Sequence, residues 1–257
     1  MSFFIIFALM LKEERHNIIL EETSSNGSSS FQLLCKKLAV SEDTIRRDIR
    51  ELDSRGLLKA VRGGAVSVSR IPHHYREREH TDIEQKKVIA KKALTLIKNK
   101  QVLFFDGGTS VLELAKILPV DLNVTIITNS FPVANALEDH PLAEVIFLGG
   151  RLNKMSFATF GHETLKGISK FKVDIYFFGI CSISPDSLSC KDLEDAELKL
   201  AMMQHSVKTV GLCTFDKLNS ESTYFITETK ELDILITEKD DPSLHTKPFT
   251  KLGIEIL

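Results

Sequence analysis

"VSEDTIRRDIRELDSRGLLKAVRGGAV", residues 40–66, sets Arg46, Arg47 and Arg50 within five positions of a chain whose formal net charge is only −2. Ser41 is a natural N-cap, Glu42 and Asp43 suit the first turn of a helix dipole, and the helix is expected to end near Arg55-Gly56. At about 100° per residue, Ile45, Ile49 and Leu52 fall in one narrow arc, while Asp43, Arg46, Arg47 and Arg50 cluster on the opposite side. A solvated basic face is the plain reading of such a run, so the flanking sequence decides.

Upstream, "KEERHNIILEET" has Ile18 and Ile19 among charges and is broken by "SSNGSSS". In "SSFQLLCKKLAV", Ser29 with Gln32 forms an S-x-x-Q capping box ahead of Leu33, Leu34 and Leu38. Downstream, "LLKAV" and "AVSVS" alternate weakly around "RGG", as a hairpin does. Helix, helix, short Ala39-Val40 link, helix and hairpin is the order of a winged helix-turn-helix, whose second motif helix turns its exposed face into the major groove. Residues 10–70 are therefore expected to bind double-stranded DNA. Between residues 30 and 70 nine Lys and Arg face five Asp and Glu, so the cation surplus is local to this domain.

The whole chain, 257 residues with 43% hydrophobic and 26% charged residues, is long enough for this small domain and a larger one. Its near-neutral total argues against uniform coating of nucleic acid. Cys35, Cys181, Cys190 and Cys213 show neither CxxC spacing nor paired clusters, which fits reduced thiols in a cytoplasmic protein without a disulfide framework. "MSFFIIFALM" is about half the length a spanning helix needs and follows no basic region, so no membrane is expected as a partner. It is either an upstream extension, with Met10 the native start, or an extension of the first helix; the first reading is favoured.

"SEDTIRRDIRELDSRGLLKAVRGGA" resembles the signature of the DeoR family of bacterial transcriptional regulators, a V-S-x-x-T-I-R-R-D-L-x-x-L-x-x-x-G core followed by a glycine-containing wing. Ile49 stands for the usual leucine, and Arg15 fits the arginine ahead of the first helix's apolar positions. The resemblance implies a regulator in which Arg46, Arg47 and Arg50 contact groove and phosphates, Ser41 and Thr44 sit at the helix entry, and Arg62 on the wing reaches the backbone.

Residues 71–83 are expected to be a linker, with Pro72 and adjacent His73 and His74, and no metal is expected there because no third ligand is near. Glu84 to Lys98 has Val88, Ile89, Ala93, Leu96 and Ile97 at helical spacing and opens a domain over residues 84–257. Six apolar runs follow: "QVLFFDGG", "NVTIITNS", "AEVIFLGG", "VDIYFFGI", "KTVGLCTF" and "ELDILITE". Alternating with helices and continuously apolar, they predict a Rossmann-like, mostly parallel α/β sheet covered on both faces, with ligands at the carboxyl ends of its strands. "FFDGGTSVLELAKIL" ends a strand at Asp106 and opens a helix at Thr109-Ser110 through two glycines. That geometry suits an anion, and equally a plain strand-to-helix turn; it is neither a Walker A loop nor a dinucleotide fingerprint.

This second part resembles the DeoR effector domain, similar in fold to ribose-phosphate isomerase and glucosamine-phosphate deaminase. The resemblance implies that a phosphorylated sugar or related metabolite is held by Asp106, Gly107, Gly108, Thr109, Ser110, Thr128, Asn129, Ser130, Gly150 and Lys199, with Lys217 and Lys86. Departures lie at Ser182, where a second glycine is usual, at Asp195, where a glutamate is usual, and at Thr214, where the late aspartate is usual. The distal domain alone would also permit a sugar-phosphate isomerase or deaminase, with Asp106 or Asp195 as base; a winged helix is of no use to such an enzyme. The expectation is a cofactor-free, non-enzymatic, homo-oligomeric regulator, dimer or tetramer, probing half-sites about one helical turn, or a multiple of it, apart. In the family, repression relieved by the metabolite is the commoner behaviour.

Overall fold

The computed structural model describes residues 11–26, 28–55, 57–68, 74–239 and 246–257. The expectations about residues 1–10, Gly56, Pro72 and His73 lie outside the described residues. The chain divides into two compact units, Met1–Val68 and Ser69–Leu257.

The first unit runs α1 (Lys12–Asn26), β1 (Ser28–Ser30), α2 (Phe31–Leu38), α3 (Glu42–Ser54), β2 (Leu58–Val61) and β3 (Gly64–Val68). Ile45, Ile49 and Leu52, the arc on α3, are buried with Ile19, Leu34 and Leu38. Each such side chain taken from water stabilises by roughly 1.5–3 kcal/mol, which matters in so small a unit. The link after α2 turns through Ala39, whose φ of 53° is left-handed. β3 pairs antiparallel with β1 and β2. Two local expectations shift. α1 continues through Ser24-Ser25 to Asn26, and "SSS" becomes strand β1. The cap of α2 is Ser30, whose hydroxyl accepts from the Leu33 amide at 3.2 Å, because Ser29 is drawn into the core, where its Oγ and that of Thr23 lie 2.6 Å apart.

The second unit opens with α4 (Tyr75–Glu79) and α5 (Ile83–Leu94), then β4 (Val102–Phe105), α6 (Thr109–Lys116), β5 (Thr125–Thr128), α7 (Phe131–Ala136) and β6 (Glu144–Phe147). A hairpin of β7 (Arg151–Asn153) and β8 (Ala158–Phe160) precedes α8 (His162–Ile168) and β9 (Val173–Gly179). Next come β10 (Ser182–Ile183), β11 (Ser187–Cys190), α9 (Leu193–Gln204), β12 (Ser206–Leu212), β13 (Ser220–Glu221), β14 (Tyr224–Glu228), β15 (Ile234–Ile236), α10 (Lys247–Lys251) and β16 (Glu255–Ile256). All six apolar runs are strands of one sheet, ordered β16-β15-β12-β9-β4-β5-β6 and parallel throughout, with the short β16 added at an edge.

Pleating splits the aromatic runs between two cores. Phe104, Tyr176 and Phe178 point to one side, and Phe105 and Phe177, edge to face at 5.6 Å, to the other. The stretch expected as linker carries α4: His74 caps it by accepting from the Arg76 amide at 3.2 Å, and Tyr75 is 7% exposed in the core. No helix among the described residues is long and apolar enough to cross a membrane.

Candidate functional site

On α3 the Ser41 hydroxyl accepts from the Thr44 amide at 3.2 Å and lies 2.8 Å from the Thr44 hydroxyl. Arg46 donates from Nε at 2.9 Å and Nη2 at 2.6 Å to Glu42 Oε1, and its Cζ lies 4.1 Å from the centre of the Phe31 ring. Arg47 meets Asp43 at 2.6 Å with both side chains at least 70% exposed. Arg50 and Arg62 are exposed, and no ion pair is formed by either among the described residues. The sequence missed Asp48, buried on the inner side of α3, which accepts from Arg15 Nε at 2.5 Å and lies 3.1 Å from His16 Nε2. Burial pushes this carboxyl up, but the Arg15 and His16 contacts outweigh it and hold it below its usual range. Arg15 thus clamps α1 to the reading helix.

In the second unit the carboxyl ends of β4, β5 and β9 meet around two adjoining cavities that share Arg78, Gly108, Gly179 and Cys181. The approach of β4 and β9 is set by two glycines. A Cβ on Gly108 would stand 2.8 Å from Gly179 Cα and 2.9 Å from its amide nitrogen, so neither backbone leaves room for a side chain. Beneath them Asp106 Oδ1 accepts from the Gly108 amide at 2.7 Å and the Gly179 amide at 3.1 Å, while Oδ2 pairs with Lys199 Nζ. Lys199 lies 3.7 Å from Asp195 as well. Burial works against the charge of Lys199, yet Asp106 and Asp195 outweigh it and hold the ammonium well above its ordinary range. Asp195 is itself pushed up by burial, against the pull of Lys199.

One cavity has a net cationic lining. Lys86, Lys217 and Arg78 line it against the carboxylates Asp82 and Asp216, together with Thr109 and Ser110, which open α6 without a side-chain cap. Lys86 Nζ donates to the Arg78 carbonyl at 2.5 Å and to the Thr81 carbonyl. Burial, then the neighbouring Lys217, pushes this ammonium down to about 8. A buried Lys86 and a half-buried Lys217 beside free helix amides favour a multiply charged anion, which would relieve their repulsion.

The other cavity, about 180 Å³, is lined by Asn129, Asn153, Ser156, Lys191, Asp192, Asp195 and Lys199. Arg78 Nε, Asn129 Oδ1 and Ser156 Oγ are buried there without a hydrogen-bond partner in the protein. A buried donor and acceptor left open cost free energy unless something binds them. Together they offer a hydroxylated molecule what water otherwise supplies.

Of the residues singled out in the sequence, Gly107, Gly108, Thr109, Ser110, Asn129, Lys86, Lys199 and Lys217 line the two cavities. Asp106 lies beneath the lining as its support. Thr128, Ser130 and Gly150 are not among the lining residues of either cavity. Thr128 Oγ1 accepts from the Ser130 amide at 3.0 Å and Ser130 Oγ caps α7, so both build the turn that presents Asn129. Gly150 has a φ of 147° with no space for a Cβ beside Thr164 and Phe160. Sequence reading missed Arg78, Asn153, Ser156 and Lys191; around Arg78 the charge-dense "YREREH" alternates cation and carboxylate with a period of two and gives no sign of a buried helix face.

Residues 15–71 match the family described as DeoR-like helix-turn-helix domain, and residues 81–239 match that described as DeoR C terminal sensor domain. The chain is 31% identical over 250 residues to the HTH-type transcriptional repressor GlcR of Bacillus subtilis (strain 168), covering 96% of both chains. It is 32% identical over 232 residues to the HTH-type transcriptional regulator GlpR of Haloferax volcanii, covering 89% of this chain and 91% of that one. It is 31% identical over 235 residues to the Glycerol-3-phosphate regulon repressor of Escherichia coli (strain K12), covering 91% and 93%. Its likeness to the solved ribose 5 phosphate isomerase A of Neisseria gonorrhoeae is slight, with 12% identity and a TM-score of 0.40 over 56% of this chain and 55% of that one.

Proposed function

The chain belongs to the DeoR family of transcriptional regulators, and from that premise we propose that it is a cytoplasmic, homo-oligomeric repressor of a carbohydrate-utilisation operon whose operator affinity a phosphorylated sugar or related metabolite controls. The reading head is residues 10–70 and the sensor is residues 84–257. The observation that carries the effector reading is the cationic cavity of Lys86, Lys217 and the α6 amides, joined to a second cavity with unpartnered polar atoms. The first takes the phosphate, and the second takes the hydroxyl groups. Ligand must favour one state of the protein, otherwise nothing switches.

Catalysis forms no part of the reading. Asp106, the buried carboxylate at the end of β4, already accepts from Gly108 and Gly179 and pairs with Lys199, so it serves as a support of the cleft floor. Thermal unfolding with a panel of sugar phosphates and the matching free sugars tests the assignment. A specific ligand at a hundred times its Kd adds about 2.7 kcal/mol to the native state. Phosphate esters should raise the melting temperature while free sugars leave it unchanged; equal responses to both would remove the phosphate cavity from the proposal.

A further inference from the structure

The reading helix holds one side chain from two directions. A guanidinium has two usable edges, one made by Nε with Nη2 and one by the two terminal nitrogens. Glu42 occupies the first edge of Arg46, taking both bonds on Oε1 at 2.9 and 2.6 Å. The Phe31 ring lies 4.1 Å from Arg46 Cζ, and Phe31 is itself 8% exposed in the core of the unit. The remaining edge, two parallel N–H groups, belongs to a side chain that is still 43% exposed. Arg47 differs: a single contact to Asp43 and 77% exposure leave it free to follow any nearby oxygen.

We propose that Arg46 reads a guanine in the major groove through its free edge, with Glu42 and Phe31 as positioning residues, and that Arg47 and Arg50 serve the phosphates. The inference rests on the DNA-binding reading above. Guanine presents two acceptors, O6 and N7, at the spacing of two parallel N–H groups, whereas adenine sets a donor beside N7. Phosphate contacts need no fixed orientation, so a guanidinium fixed before binding gains chiefly at a base edge. The rotamer freedom that an arginine gives up on binding is already restricted here in the free protein.

The test uses the full chain and a random 26-base-pair duplex library, from which the preferred sequence is selected by rounds of binding. The selected duplex and variants altered at each G·C pair are then titrated by fluorescence anisotropy at several KCl concentrations. Arg46→Ala should erase discrimination at one G·C pair per half-site, roughly tenfold, and leave the other positions intact. Glu42→Gln should lose most of that discrimination at the same pair with an unchanged salt slope, and the double variant should be no worse than Arg46→Ala. Circular dichroism of each variant separates these losses from unfolding. If Arg46→Ala weakens all sequences equally and lowers the salt slope by about one per head, Arg46 is a phosphate contact and the proposal fails. If Glu42→Gln changes no particular pair, the positioning role fails. A wild-type library without any preferred sequence would overturn the DNA-binding reading itself.

Discussion

Replacing Lys199 with methionine keeps much of the side-chain volume and strips the cation from Asp106, a carboxylate 3% exposed. What remains around that charge is two amides, Gly108 at 2.7 Å and Gly179 at 3.1 Å, with Asp195 now adding repulsion. Breaking one side of a buried pair costs about 3–5 kcal/mol, because the surviving charge is left uncompensated. In a unit the size of residues 69–257 each kcal/mol moves the midpoint by about 2–4 °C, so the melting temperature should fall by roughly 6–20 °C. Asp106→Asn combined with Lys199→Met removes both charges and keeps an oxygen to accept from the two amides. The double variant should therefore be more stable than Lys199→Met alone, with a coupling of at least ~2 kcal/mol in a double-mutant cycle. Urea unfolding followed by far-ultraviolet circular dichroism at pH 7 measures all four proteins. Strict additivity, or a Lys199→Met variant within about 1 kcal/mol of the parent, would refute the view that the pair holds the cleft floor together.

Lys86 carries a pH signature. The unfolded chain keeps this proton up to 10.5 and the folded chain only to about 8, so the unfolded state binds more protons in that window and stability should rise with pH across it. Lys86→Gln should flatten the rise in urea midpoints between pH 7.5 and 10. Affinity for a phosphate ester, measured calorimetrically, should fall above pH 8 in the parent as the ammonium is lost, by up to about tenfold per unit. Gly108→Ala forces a Cβ to 2.8 Å from the Gly179 backbone; about 1–3 kcal/mol of stability and the thermal response to phosphate esters should be lost together, while DNA affinity without effector is retained.

The reading head was legible because one helix combines a cap, an acidic first turn and a clean apolar arc, signals that agree with each other. The sheet was legible because strands covered on both faces need unbroken apolar runs. The cleft is readable from the residues themselves where a strand end names them, as at Gly107-Gly108 and Asn129, while Lys86, Lys199 and Lys217 come from the family resemblance. Arg78 sits on a five-residue helix whose charges resemble a linker, and its burial comes from tertiary packing, with the Tyr75 amide donating to the Met155 carbonyl at 2.6 Å. Thr128, Ser130 and Gly150, expected as ligand contacts from the resemblance, lie outside the lining of both cavities, and a turn that binds and a turn that only folds use the same residue types. The S-x-x-Q pattern places the cap of α2 at Ser29, one residue early, because among three consecutive serines the buried contact of Ser29 with Thr23 leaves the cap to Ser30.

The β7–β8 hairpin lies outside the seven-stranded sheet, tied to the turn after β5 by the Thr159 amide donating to the Asn129 carbonyl at 2.9 Å, and Asn153 Oδ1 shapes its turn by accepting from the Met155 amide at 2.9 Å and the Ser156 amide at 3.3 Å. It nevertheless supplies Asn153, Met155 and Ser156 to the hydroxyl-facing cavity. In the cationic half, by contrast, the side chain of Lys86 itself ties down the carbonyls of Arg78 and Thr81. On the proposed effector reading, side chains at 153–156 can therefore change what the second cavity accepts without disturbing a bond that holds α4 and α5, whereas a change at Lys86 alters cavity and fold together. A library randomised at 153–156, with Lys86 untouched, is the economical starting point for building biosensors from this scaffold.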